Sequence, residues 1–69
     1  MNIFKAKRIE MGLSIEDVVK DIKYPISSIQ SIEKNDYNFL HKTYVYYCIK
    51  AYGNYLNILN LESILKKKN

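Results

Sequence analysis

Sixty-nine residues make one small domain at most, near the size where a single hydrophobic core is only just sufficient. With 48% hydrophobic and 26% charged residues the chain has the balance of a folded globular protein, and two glycines and one proline leave too few turns for a many-stranded sheet. The net charge of +4 is concentrated at the end: Lys66, Lys67 and Lys68 are three of eleven basic residues, so the rest is about one charge positive and charge alone argues little for nucleic acid.

Residues 2–11 carry Ile3, Phe4, Ala6, Ile9 and Met11 among Lys5, Lys7, Arg8 and Glu10, which predicts a short helix with one apolar side. Gly12 is placed to end it in a left-handed conformation. The opening MNIFKAKRIEMG lacks the unbroken apolar run of a secretory signal. Arg8, the one arginine of the chain, is expected to reach Glu33 once the third helix packs across the first.

From Leu13 to Ile32 the pattern is two helices and a tight turn. Ser14 is a good N-cap with Asp17 three positions on, and Ile15, Val18, Val19 and Ile22 form one apolar stripe. Pro25 breaks the chain near Lys23 and Tyr24 and suits the first turn of the next helix. In that third helix Ile26, Ile29 and Ile32 are expected inside, and Ser27, Ser28, Gln30, Ser31 and Lys34 outside. Such a pair is a helix-turn-helix. As a major-groove reader the second member would present Ser27, Ser28, Gln30 and Ser31, with no arginine for guanine, the commonest specific contact.

The stretch NDYNFLHK has the turn chemistry of Asn35, Asp36 and Asn38, while Tyr37, Phe39 and Leu40 are expected to fold down and close the core. Cys48 is the single cysteine, excluding an internal disulfide, and with His41 it gives too few soft ligands for a usual zinc site. No nucleophile–base pair, paired acids or phosphate-cradling loop appears, so neither an enzyme nor a cofactor is expected.

Thr43 is the expected cap of the longest helix, which runs to about Leu56 and carries five of the seven tyrosines. Val45, Ile49, Tyr52 and Leu56 form its natural core stripe, and Tyr44, Cys48, Ala51 and Tyr55 the adjacent one. Tyr46 and Tyr47 are then left partly exposed. A last helix is expected over residues 60–67, with Leu61, Ile64 and Leu65 inward and lysines at its C-terminus. No run nears the roughly 18 apolar residues of a membrane span, which suggests a soluble, cytoplasmic chain, and the terminal KKKN would also suit the edge of a longer one.

Leu13-Ser14, Val18-Val19, Ile29 and Ile32-Glu33, with Arg8 ahead of them, resemble the helix-turn-helix of the lambda-repressor or Xre-like superfamily over about half the chain. That implies a fold only. The stretch KYPISSIQSIEKNDYNFL is similar to a variant with a K-x-P turn and an E-x-G-D-[FY]-x-x-L exit. Tyr44, Ile49-Lys50, Ala51-Tyr52, Leu56 and Ile58 resemble that variant's aromatic fourth helix and L-G-L-D exit. The variant is the cytoplasmic N-terminal domain of the RodZ family of bacterial cell-shape proteins, and the resemblance spans about residues 4 to 65.

The resemblance implies an all-α, five-helix domain that binds the bacterial actin MreB and couples its filaments to a membrane-spanning helix further along. The contact residues it carries over are Tyr44, Tyr47, Cys48 and Lys50, with Lys34 as a flanking charge. The chain departs from the family pattern in four places. His41 stands for a proline, Tyr46-Tyr47 for an Arg-Gly pair, and Asn35 and Asn57 for glycines, the last two a mild change because asparagine tolerates positive φ. An adaptor of this type is the first expectation, and a DNA-binding regulator reading double-stranded DNA with the third helix is the alternative.

Overall fold

Three of the four helices begin on a side chain that accepts from their orphan amides. The computed structural model describes residues 2–38 and 40–58. Helix α1 (Ile3–Glu10) starts on Asn2, whose Oδ1 accepts from the amides of Phe4 at 2.8 Å and Lys5 at 3.1 Å. Helix α2 (Ile15–Ile22) starts on the expected Ser14, as a reciprocal capping box. The Asp17 amide donates to Ser14 Oγ at 3.1 Å, and the Ser14 amide donates to Asp17 Oδ2 at 3.0 Å. That backbone hydrogen bond holds the Asp17 carboxyl below its ordinary range. Helix α3 (Ile26–Glu33) follows Pro25, whose fixed φ presets the entry into the helix, and no side chain caps its first amides. Helix α4 (Lys42–Tyr55) begins two residues earlier than Thr43 suggests: His41 is the cap, its Nδ1 accepting from the Thr43 amide at 3.2 Å.

Each helix is closed by a residue with positive φ: Gly12 (72°), Lys23 (62°), Asn35 (63°) and Asn57 (59°). After α1, α3 and α4 the amide beyond that residue reaches back five positions, Leu13 to Arg8, Asp36 to Ser31 and Ile58 to Gly53, at 3.1, 2.9 and 2.9 Å. The repeated motif satisfies the last carbonyls and turns the chain sharply.

Helix α3 lies at the centre, touching α1, α2 and α4. The core is Phe4, Val18, Ile29, Ile32, Val45, Cys48, Ile49, Tyr52, Leu56 and Ile58, with the Phe4 and Tyr52 rings stacked at 5.3 Å. Four expectations need correction. On α1 only Phe4 is buried, because α3 and α4 meet the helix along Phe4 and Arg8. Ile3, Ile9 and Met11 therefore stay exposed. On α3 the inward arc is Ser28, Ile29 and Ile32, which puts Ile26 at its solvent edge. Leu40 is exposed rather than folded down, while Tyr37 does pack on the core. Four helices stand among the described residues in place of five; the expected helix over 60–67, and Phe39, lie outside them.

Candidate functional site

A polar seam ties α1, α3 and α4 together beside the core. Arg8 Nε donates to Glu33 Oε2 at 2.8 Å and Nη2 to Oε1 at 3.2 Å, so the ion pair expected from the sequence is present and two-pronged, while Nη1 donates to the Leu13 carbonyl at 2.9 Å. The Tyr52 hydroxyl donates to the same Glu33 carboxylate. Burial alone would raise the Glu33 carboxyl, but the hydrogen bonds from Arg8 and Tyr52 outweigh it and hold it below the ordinary range. The bond to Glu33 raises the Arg8 guanidinium, and burial, then Glu33, raises the Tyr52 phenol. A second clamp, which sequence reasoning missed, is Asn2. Its Nδ2 donates to the Ile32 carbonyl at 2.9 Å and to Asn35 Oδ1 at 2.7 Å, tying the start of α1 to the end of α3.

On this rigid frame α4 presents two faces. Inward lie Val45, Cys48, Ile49, Tyr52 and Leu56, so the expected core stripe is in place. Outward, the Tyr46 and Tyr47 rings meet edge to face at 5.2 Å, and Lys50 Nζ sits 5.8 Å from the Tyr46 centroid. Tyr47 is 55% and Tyr46 40% exposed.

The five residues carried over for a protein partner are therefore not one surface. Tyr47 and Lys50 are exposed together with Tyr46. Tyr44 is half-buried and turned toward the α2–α3 turn, its ring edge-on to Tyr24 at 5.6 Å. Cys48 corrects the expectation: it is fully buried, its thiol pushed up to about 11 by burial, so it offers no outer surface to a partner. Lys34 lines a cleft between α1 and α3 instead. Tyr46 is the residue the carry-over missed, although its place on the helical wheel marked it as exposed.

The groove-reading set also shrinks. Ser27 and Gln30 are exposed and Ser31 is half-buried, but Ser28 is 2% exposed and faces the core between Ile29 and Ile32, so it reads no base. No arginine lies on the outer face of α3, and Arg8 is occupied by Glu33. Among the described residues no group of three or more His, Cys, Asp or Glu side chains could hold a metal ion, and no helix is long and apolar enough to cross a membrane. A family model described as a helix-turn-helix domain matches residues 3–63. No curated protein and no solved structure matches the chain.

Proposed function

The chain belongs to the helix-turn-helix domain family, and on that footing we propose that it is a protein-interaction module of the RodZ type. Its partner is the actin-like filament protein MreB, gripped by the outer face of α4. The domain works in the cytoplasm, at the inner face of the cell membrane when a membrane-spanning continuation follows. The observation that carries this reading is the Tyr46–Tyr47 pair with Lys50 beside it, exposed on a helix whose other side is locked into the core. Exposed tyrosines bring large contact area, two torsions and a hydroxyl, which is why they anchor protein interfaces.

The same fold serves DNA readers, and Ser27, Gln30 and Ser31 are what this chain would offer a duplex. That set lacks the arginine and the row of cations that base reading and phosphate neutralisation draw on. Co-sedimentation with MreB filaments separates the two readings. Tyr46→Ala with Tyr47→Ala is expected to weaken pelleting about tenfold or more at unchanged helicity. Unchanged pelleting, or tight salt-sensitive duplex binding that depends on Ser27 and Gln30, overturns the adaptor reading.

A further inference from the structure

Between α1 and α3 lies a cleft of about 230 Å³ lined by Lys5, Arg8, Ile15, Gln30, Glu33 and Lys34. Three cations face one carboxylate there. That carboxylate is already engaged, accepting from Arg8 and from Tyr52, and its side chain is 8% exposed. Lys5 and Lys34 differ: both are exposed, and the ion pairs among the described residues are Lys7–Glu10 and Arg8–Glu33. Of the five N–H donors of an arginine, Arg8 uses one at each nitrogen, leaving two for a ligand. Gln30 adds an exposed amide, and half-buried Ile15 an apolar wall.

We infer that this cleft receives one acidic side chain of a protein partner, its carboxylate between Lys5 and Lys34 beside the Gln30 amide and its methylenes against Ile15. Two features favour a carboxylate over a phosphate backbone. A recess with an apolar side fits a single projecting side chain, whereas a duplex presents phosphates as a continuous ribbon that needs a row of cations. The neighbouring outer positions of α3, Ser27 and Gln30, provide no such row. The inference stands apart from the tyrosine face of α4 and does not depend on which protein that face binds. It also explains why Lys34 and Gln30, which sequence reasoning assigned to different partners, line one recess.

The test is an amide chemical-shift titration of the ¹⁵N-labelled chain with a capped triglutamate peptide, run beside inorganic phosphate and a short DNA duplex. Saturable shifts centred on Lys5, Lys34 and the Gln30 side-chain amide are expected. Lys5→Gln with Lys34→Gln weakens peptide binding about tenfold, while Tyr46→Ala with Tyr47→Ala leaves it unchanged. Shifts spread equally over Lys20, Lys23 and Lys42, the absence of a saturable response, or the same pattern from phosphate or duplex at lower concentration would each overturn the assignment.

Discussion

Tyr47 and Tyr52 sit on the same helix, and the structure treats them as different materials. Tyr52 is fully buried, stacked on Phe4 and bonded through its hydroxyl to Glu33, whereas Tyr47 is 55% exposed and its ring meets that of Tyr46 edge to face. Nothing intrinsic to the side chain makes the difference. The position on the helix decides it, because α1 and α3 bring a ring and a carboxylate to one side of α4, while Tyr46 and Tyr47 on the other are exposed. A tyrosine whose phenol is satisfied inside becomes framework, and one left outside is free to be contact area.

The comparison breaks most visibly at the inner ring. Tyr52→Ala is expected to cost about 3–5 kcal/mol, read by urea denaturation, because it opens a cavity against Phe4 and strands the seam. Glu33→Gln comes next at about 2–3 kcal/mol, since Arg8 keeps its place but loses its charged acceptor. That variant also sharpens the pH argument. The wild-type Glu33 carboxyl lies below its unfolded value, so its contribution is present above about pH 4.3 and is lost as pH falls through the folded value. The Tyr52 phenol is raised, so its contribution is complete below about pH 10 and is lost as pH climbs through the folded value. Denaturation midpoints across pH should show a plateau between these limits, and Glu33→Gln should flatten the acid side.

Smaller effects follow. Tyr52→Phe keeps the stacking and removes one hydrogen bond, an expected loss of about 1–2 kcal/mol by the same denaturation measurement. Tyr47→Ala should change stability by less than about 0.5 kcal/mol while weakening co-sedimentation with the proposed filament partner. A Tyr47 variant as costly as the Tyr52 one would mean that the two faces of α4 are not distinct.

The parts of this architecture legible in sequence are those written in periodicity and charge. Val45, Ile49, Tyr52 and Leu56 repeat at helical spacing, Ser14 and Asp17 stand in cap register, and a lone arginine has a glutamate to meet. What escaped depends on partners distant in sequence. Asn2 looks like any polar residue near a terminus until the Ile32 carbonyl and Asn35 are placed beside it. Ser28 and Ile26 exchange their expected sides because the inward arc of α3 is set by where α2 and α4 press, not by hydrophobicity alone. The carried-over contact set failed at Cys48 for a related reason. A stripe adjacent to the core row is as readily swallowed as exposed, and only packing chooses.

Burial at Cys48 has a practical corollary. The chain has one thiol, sheltered beneath α4 and pushed up to about 11, so a maleimide or iodoacetamide meets almost no thiolate while the helix stays seated. Each labelling event then timestamps a moment when α4 lifts away, and the trapping rate in native buffer becomes an internal clock for local opening. Partner molecules that clamp the tyrosine face from outside should slow that clock without ever touching the sulfur.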